Sequence, residues 1–235
     1  MRHLVCAFVV GVALVGGGFA SEVSTTPANR LGEDWWKKRF AERQEQAEKG
    51  ECPFVFMGDS ITHGWDGKLG TNFPDMKIVN VSFSGDRTEH TLWVIDNLDW
   101  KKVNAKVIML MIGTNNTGHR NRDQESPQDT FDGIKAIIAK LSEKTPDTKI
   151  LLLAIFPRSE SAGEQARVRN ATVNAMVPTL ADNKRVFFMD IGARFLAADG
   201  ATLTKDIMPD LLHLNDKGYA IWGEAVKGKL EALAK

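Results

Sequence analysis

The sequence predicts an α/β fold in which a doubly wound sheet of parallel strands is flanked by helices. Five short apolar runs, several of them rich in Val and Ile, alternate with amphipathic stretches. Continuous apolar runs are typical of parallel strands that are buried on both faces. Strands that alternate with helices pack as one sheet with right-handed crossovers. The predicted strands cover residues 54–57, 78–83, 107–112, 150–156 and 186–191.

The segments between the strands are predicted to be helices, because their apolar residues recur at helical spacing. Ser126 before Pro127, and Asn215 before an apolar stripe, are typical helix starts. We expect Pro178 to disturb the end of its helix, because proline removes a backbone donor. These helices cover residues 34–49, 88–98 and 164–180 and the stretches that follow Ser126 and Asn215.

The composition argues against two broad classes of protein. Thirty basic residues balance 30 acidic ones among 235 residues, whereas nucleic-acid binders carry a basic excess. A hydrophobic content of 43% with no net charge argues against disorder. Cys52 is the one cysteine beyond residue 20, so we expect no intramolecular disulfide and interpret Cys52 as a buried structural residue.

The first twenty residues are predicted to be a secretory signal peptide. Arg2 and His3 precede an apolar run over residues 4–15, which is too short to span a bilayer, and small residues lead to Ala20. Cleavage near Ala20 would make the protein secreted or periplasmic, with no membrane span in the mature chain. The alternative is a retained N-terminal anchor. Residues 21–33 are expected to be a flexible leader, and residues 34–235 a single domain.

A serine, a histidine and an aspartate lie where this fold collects its ligands. Ligands bind beyond the carboxyl ends of parallel strands, and Ser60 follows the first predicted strand on a turn that Gly58 permits. A serine hydroxyl becomes a nucleophile when a base such as histidine takes its proton. Asp210 and His213 stand three residues apart, so a helical turn would place them on one face. The sequence therefore predicts a triad of Ser60, His213 and Asp210.

The tetrahedral oxyanion of acyl transfer needs hydrogen-bond donors. The candidates are the backbone N–H groups of Ser60 and Gly85 and the side-chain amide of Asn115. One such donor is typically worth roughly 10²–10³ in rate. Each candidate also has a structural alternative: Gly85 as a simple turn, Asn115 as a helix cap, and His213 as an interior histidine.

Further residues near these positions are candidates for substrate contacts, each with a structural alternative. Asp59 adjoins Ser60 but is better suited to bracing the turn through hydrogen bonds. His63 lies one helical turn from Ser60, either at the mouth of the site or in solvent. Arg87 and Arg158 could bind substrate or form structural salt bridges. No HExxH zinc motif is present in the sequence.

The residues named above form four blocks in order, and with them the sequence resembles the SGNH hydrolases, also called the GDSL esterase/lipase family. The resemblance is strongest to the subgroup of platelet-activating-factor acetylhydrolase catalytic subunits. It implies a flavodoxin-like sheet of five parallel strands, no metal or other cofactor, and the triad and oxyanion roles given above, and it allows a homodimer. The blocks are Gly58-Asp59-Ser60, Gly85, Gly113-Thr114-Asn115 and Asp210-x-x-His213.

The predicted function is that of an exported serine esterase that cleaves short acyl esters, chiefly acetyl esters, of O-acetylated carbohydrate. Export supports this substrate class. The sequence contains no strongly apolar insertion of the kind that forms a lid, and this argues against long acyl chains. The alternatives are a lysophospholipase, acetylhydrolase or thioesterase with the same triad, and an O-acyltransferase. A further alternative is a glycan-binding protein without catalytic activity.

Overall fold

The computed structural model describes residues 22–118 and 124–235, so the predicted signal peptide over residues 1–20 lies outside the described residues. Five parallel strands form one sheet in the order β2-β1-β3-β4-β5. This order is that of flavodoxin-like folds, in which the direction of winding reverses between β1 and β3. The predicted fold is confirmed. The strands are β1 (Phe54–Gly58), β2 (Ile78–Ser82), β3 (Val107–Met111), β4 (Lys149–Leu153) and β5 (Val186–Met189).

Helices cover both faces of the sheet, and the helices predicted over residues 34–49 and 88–98 are present with bounds that agree to within one residue. Ser126 caps its helix by accepting from the Asp129 N–H, and Asn215 caps the last helix. The helix before Pro178 ends at Met176 and continues as a 3₁₀ turn. The helices are α1 (Glu22–Thr25), α2 (Asp34–Glu48), α3 (Ser60–His63), α4 (Leu69–Asn72), α5 (Thr88–Asn97), α6 (Trp100–Val103), α7 (Pro127–Lys144), α8 (Gln165–Met176) and α9 (Asp216–Leu233).

The core consists of two apolar clusters, one on each face of the sheet. Alternate residues of β1 point to opposite clusters: Val55 and Met57 join one, and Phe54 and Phe56 join the other. This alternation follows from the pleat of a strand. Both faces of the central strands are therefore excluded from solvent. The carboxyl ends of β1, β2 and β3 lie together at one edge of the sheet.

The segment expected to be a flexible leader is held against the rest of the structure by buried polar contacts. Ser24 in α1 is buried, its hydroxyl hydrogen-bonds Glu125, and its carbonyl accepts from the Thr88 hydroxyl over 2.9 Å. Arg30 forms an ion pair of 2.7 Å with Asp86. The structure therefore differs from the expectation for residues 22–33. Residues that are distant in the sequence hold this polar stretch in place, and the sequence of the stretch itself gives no sign of them.

Cys52 is less buried than the sequence analysis expected, and the neighbouring residues Trp35 and Trp36 differ in burial. Trp36 is fully buried, but its neighbour Trp35 is 43% exposed. Cys52 is a free thiol at an intermediate level of burial.

Within residues 22–118 and 124–235, none of the helices combines the length and the apolar character that a membrane span requires.

Candidate active site

Ser60, His213 and Asp210 form a continuous chain of hydrogen bonds. His213 Nε2 lies 2.8 Å from Ser60 Oγ, and His213 Nδ1 lies 2.6 Å from Asp210 Oδ2. An ionised carboxylate only accepts hydrogen bonds, so Nδ1 carries the ring proton and Nε2 accepts from the serine hydroxyl. This tautomer is the one that can take a proton from Ser60. The three side chains predicted to form a triad are therefore brought together.

The Asp210 carboxylate orients His213 through a turn, not through the helical turn that the spacing suggested. Its Oδ1 accepts from the backbone N–H groups of Leu212 and His213, at 3.1 and 2.7 Å, while Leu211 has a positive φ of 60°. Partial burial raises the pKa of Asp210, but hydrogen bonds from the His213 ring and backbone outweigh burial and hold it below the ordinary value. Asp210 is therefore ionised at neutral pH.

The turn between β1 and α3 presents Ser60. Gly58 has a φ of 158°, and a Cβ there would overlap the Met111 carbonyl oxygen on β3 and the Thr62 hydroxyl. Asp59 caps α3 by accepting from the Ile61 N–H at 2.9 Å. Tyr219 on α9 donates to the Ile61 carbonyl at 2.7 Å. The nucleophile candidate therefore stands on a short, fixed helix.

Asp59 has the bracing role that the sequence analysis favoured over substrate binding. Its carboxyl group is fully buried, which raises its pKa to about 6 although the Ile61 N–H opposes the shift. The positive charge of Arg158, and that of His213 when its ring is protonated, oppose the shift as well. Asp59 therefore affects the electrostatics of the site while its hydrogen bond stays within the turn.

The candidate oxyanion donors lie on three neighbouring loops at the carboxyl ends of β1, β2 and β3. Ser60 is the first residue of α3, so its backbone N–H has no acceptor within the helix. Gly85 adopts a φ of 78°, a left-handed conformation that favours glycine. Asn115 is 4% exposed, and its amide donates to the Asp86 carbonyl at 2.8 Å. A second amide N–H remains for a ligand.

Two candidates for substrate contacts instead have structural partners. Arg87 forms ion pairs with Glu89 and Glu125. His63 is half-buried, not solvated, and its Nδ1 accepts from the Ser84 N–H at 3.1 Å. Burial and the charge of Arg39 lower the pKa of His63 to about 4, so its ring is neutral at pH 7. His63 therefore holds the loop that carries Gly85.

Arg158, the remaining candidate, borders an open cleft of about 320 Å³ beside His213. Its Nη1 is held by the Thr114 carbonyl at 3.1 Å and by the Gly118 carbonyl at 2.8 Å. The rest of the planar guanidinium can therefore present donors to a bound molecule. The cleft is lined by Arg158, Ser159, Glu164, Asp210, Leu211, Leu212 and His213.

The sequence analysis gave no role to Arg30, Asp86 or Tyr219, all of which support this site. Asp86 directly follows Gly85, and this adjacency was the one available signal for it. Arg30 stands 56 residues from Asp86, and Tyr219 stands 158 residues from Ile61. Contacts at such separations are created by the sheet topology and have no local pattern in the sequence.

Comparison with known proteins identifies related chains. Residues 56–221 match the model of the GDSL-like lipase/acylhydrolase family. The chain is 32% identical over 173 residues to platelet-activating factor acetylhydrolase IB subunit alpha1 of Homo sapiens, an alignment covering 72% of this chain and 71% of the relative.

Solved structures share the fold. A structure from Streptococcus pneumonia, provisionally described as a platelet activating factor, has a TM-score of 0.66 and 26% identity, covering 86% of this chain and 97% of that one. An acetylxylan esterase from Geobacillus stearothermophilus has a TM-score of 0.60 at 16% identity, covering 77% of this chain and 95% of that one. The resemblance predicted from the four blocks is confirmed, and the chain belongs to the GDSL-like lipase/acylhydrolase family.

Proposed function

We propose that this acylhydrolase is an exported serine esterase that removes short acyl groups, chiefly acetyl, from O-acetylated carbohydrate. The observation that carries the proposal is the hydrogen-bonded chain from Ser60 through His213 to Asp210. Three candidate oxyanion donors lie on adjacent loops beside these residues and could stabilise the negative charge of the tetrahedral intermediate. The two features together suit acyl transfer by way of a covalent acyl-enzyme.

In the first half of the reaction, Ser60 Oγ attacks the ester carbonyl carbon while His213 Nε2 takes the hydroxyl proton. Asp210 stabilises the imidazolium that forms. The carbonyl oxygen becomes an oxyanion, which receives hydrogen bonds from the N–H groups of Ser60 and Gly85 and from the Asn115 amide. The tetrahedral intermediate collapses, the bond to the alcohol oxygen breaks, and His213 gives its proton to the departing alcohol.

In the second half, water attacks the acyl-enzyme and His213 takes a proton from that water. The same donors stabilise the second oxyanion. Collapse releases the carboxylic acid, and the proton held by His213 returns to Ser60. Each half therefore leaves His213 in its starting tautomer, which the Asp210 carboxylate favours.

The surroundings of Ser60 and His213 support a polar alcohol moiety. The cleft beside His213 carries the charged side chains of Arg158 and Glu164, which suit hydroxyl groups better than an alkyl chain. The exposed Trp35 ring lies 6.4 Å from the ring of His63, which stands one helical turn after Ser60 in α3. An indole held in place by its hydrogen bond to Glu33 can pack on the apolar face of a sugar.

The export part of the proposal depends on the sequence of residues 1–20, with their basic start and short apolar run. Export would bring the enzyme to glycans outside the cytoplasm. The acetylxylan esterase noted above shows that this fold accommodates deacetylation of a polysaccharide in another protein. N-terminal sequencing of the mature protein tests the export claim, with a start near Ser21 as the expected result.

A second candidate is an acetylhydrolase acting on a phospholipid. It is favoured by the names of the curated relatives, which share 32% identity with this chain. The chemistry at Ser60 would be the same, and the two candidates differ in the alcohol that leaves. Measurements with defined substrates separate them.

The test compares 4-nitrophenyl acetate, butyrate and octanoate with acetylated xylo-oligosaccharides and an acetylated glycerophospholipid. Full-length protein, Ser60→Ala and Trp35→Ala are assayed in parallel. We expect turnover to fall with acyl length and to vanish in Ser60→Ala. Trp35→Ala is expected to lower kcat/KM on the oligosaccharides about tenfold and to leave 4-nitrophenyl acetate unchanged.

Other outcomes each contradict part of the proposal. Preference for octanoate or the phospholipid would overturn the carbohydrate assignment. Acyl transfer to a sugar hydroxyl in preference to water would indicate an O-acyltransferase. Glycan binding without turnover of any ester by folded wild-type protein would overturn the esterase proposal and indicate a binding protein.

A further inference from the structure

The guanidinium of Arg30 hydrogen-bonds the residues immediately before and after Gly85. Its Nη1 donates to the Ser84 carbonyl at 2.8 Å and to Asp86 Oδ1 at 2.7 Å. A Cβ built on Gly85 would lie 3.4 Å from the same nitrogen. The guanidinium therefore covers the glycine and contacts the residues before and after it.

Arg30 is itself held rigidly. Its Nε and Nη2 form a two-pronged pair with Glu33, at 2.9 and 2.8 Å, and its side chain is 9% exposed. A bidentate pair of this kind fixes the plane of the guanidinium as well as its position. Trp36 Nε1 donates to the same Asp86 oxygen at 2.9 Å. Three side chains from residues 30–36 thus form one scaffold against the turn.

The turn over residues 84–86 also holds the loop that carries Asn115, another candidate oxyanion donor. The backbone carbonyl of Asp86 accepts the hydrogen bond from the Asn115 amide. Displacement of residues 84–86 would therefore move the Gly85 N–H and release Asn115 together. Burial raises the pKa of the Asp86 carboxyl to about 7, and the hydrogen bond and charge of Arg30 oppose that rise.

We propose that Arg30 is a positioning residue that holds the Gly85 N–H and the Asn115 amide in the geometry an oxyanion requires. Its catalytic effect rests on the esterase function proposed above. The segment between the predicted signal peptide and α2 is then part of the catalytic architecture and not a leader.

Two physical arguments explain why the turn needs the contacts that Arg30 makes. Glycine at positive φ is conformationally permissive, so its neighbours must define where its N–H points. Donors stabilise an oxyanion effectively only when they are fixed about 2.7–3.1 Å from it before the reaction. The oxyanion exists in the transition state and not in the bound ester, so loss of these contacts lowers kcat and leaves KM unchanged.

The test uses full-length Arg30→Ala and Arg30→Lys, with Arg185→Ala as the matched control. Arg185 also binds backbone carbonyls, those of Leu141, Ser142, Thr145 and Thr148, but it precedes β5 at the opposite edge of the sheet. Two quantities are measured: kcat and KM on 4-nitrophenyl acetate, and the amide chemical shift and hydrogen exchange of Gly85. The second measurement needs no substrate.

We expect Arg30→Ala to lower kcat roughly 10- to 100-fold with KM within about twofold, and to shift and deprotect the Gly85 amide. Arg30→Lys should recover part of the kcat and part of the Gly85 amide protection. Its ammonium group reaches Asp86, but it lacks the planar set of donors that lets arginine bond Ser84, Asp86 and Glu33 at once. Arg185→Ala should lose stability with wild-type kcat and an unchanged Gly85 amide. If Arg30→Ala does not fold, Arg30→Lys carries the comparison and must still fall below wild type.

Wild-type kcat and an unmoved Gly85 amide in the Arg30 variants would overturn the proposal. Equal losses of kcat in Arg185→Ala would also overturn it, because the effect would then be one of general stability. A displaced Gly85 amide in a protein whose wild type hydrolyses no ester would support the positioning role of Arg30 and reject the esterase function.

Discussion

The side-chain amide of Asn115 donates a hydrogen bond of 2.8 Å to the backbone carbonyl of Asp86. The bond joins the loops that follow β2 and β3, two strands that are separated in the sheet by β1. Ser60 follows β1, so the bond spans the loop that carries the nucleophile candidate. Gly85 and Asn115 are thus held relative to each other before any substrate arrives.

Replacement of Asn115 by alanine is expected to lower kcat on 4-nitrophenyl acetate by roughly 10²–10³, because one oxyanion donor is lost. KM should change little. The control is Asn97→Ala, which removes an exposed amide bonded to its own helix at 2.8 Å. Equal kcat values for the two variants would contradict the role assigned to Asn115.

Asp210→Asn is expected to lower kcat by about 10² or more while the fold is retained. The asparagine oxygen can still accept from the Leu212 and His213 N–H groups, but its amide group would donate to His213 Nδ1. The ring proton would then move to Nε2, which could no longer accept from Ser60. Steady-state kinetics and nitrogen NMR of the ring are the measurements. Retention of wild-type kcat would show that Asp210 does not set the tautomer.

Asp59→Asn is expected to change how stability depends on pH. The pKa of Asp59 is raised from 3.8 to about 6 by burial, so the folded protein holds this proton more tightly than the unfolded chain. Its contribution to stability is therefore complete below pH 3.8 and is lost as pH rises to about 6. Asparagine keeps the cap on Ile61 without this loss.

Urea unfolding of wild type and Asp59→Asn between pH 4 and pH 8 checks this expectation. The variant should gain up to about 3 kcal/mol relative to wild type as pH rises through this window. The difference between the two proteins isolates Asp59 from other titrating groups. A difference that is independent of pH would contradict the raised pKa.

Gly58→Ala is expected to destabilise the protein by roughly 3 kcal/mol or more, because the new methyl group would overlap the Met111 carbonyl and force β1 away from β3. The matched control is Gly67→Ala. Gly67 also has a positive φ, of 78°, but a Cβ there meets nothing within 4 Å. The control should cost only about 1 kcal/mol of backbone strain. Equal midpoints of denaturant unfolding for the two variants would contradict this account of the turn.

The parts of the fold that depend on local patterns were predictable from the sequence. Apolar runs fixed the five strands to within a few residues, and Ser126 and Asn215 marked helix starts that the structure shows. The candidate residues Ser60, Gly85 and Asn115 could be found because each lies within four residues of the end of a strand, and parallel strands end at one edge.

The supporting contacts could not be predicted, because they join residues that are distant in sequence. Arg30 was expected to belong to a flexible leader, because its partners Ser84 and Asp86 stand 54 and 56 residues away in the sequence. Arg87 looked equally suited to substrate or to an ion pair, and its partner Glu125 stands 38 residues away. The Asp210–His213 spacing suggested a helical turn, but the side chain of Asp210 makes its own turn by accepting two backbone N–H groups.

The most direct test of the central claim is whether Ser60 is an activated nucleophile. Treatment with a sulfonyl fluoride, such as phenylmethylsulfonyl fluoride, lets an activated serine oxygen bond to sulfur and expel fluoride. We expect one adduct per chain by intact mass, located at Ser60 by peptide mapping. It should be absent from Ser60→Ala and strongly slowed in His213→Ala. Labelling of Ser60 at the same rate in His213→Ala, or an adduct at another serine, would contradict the account.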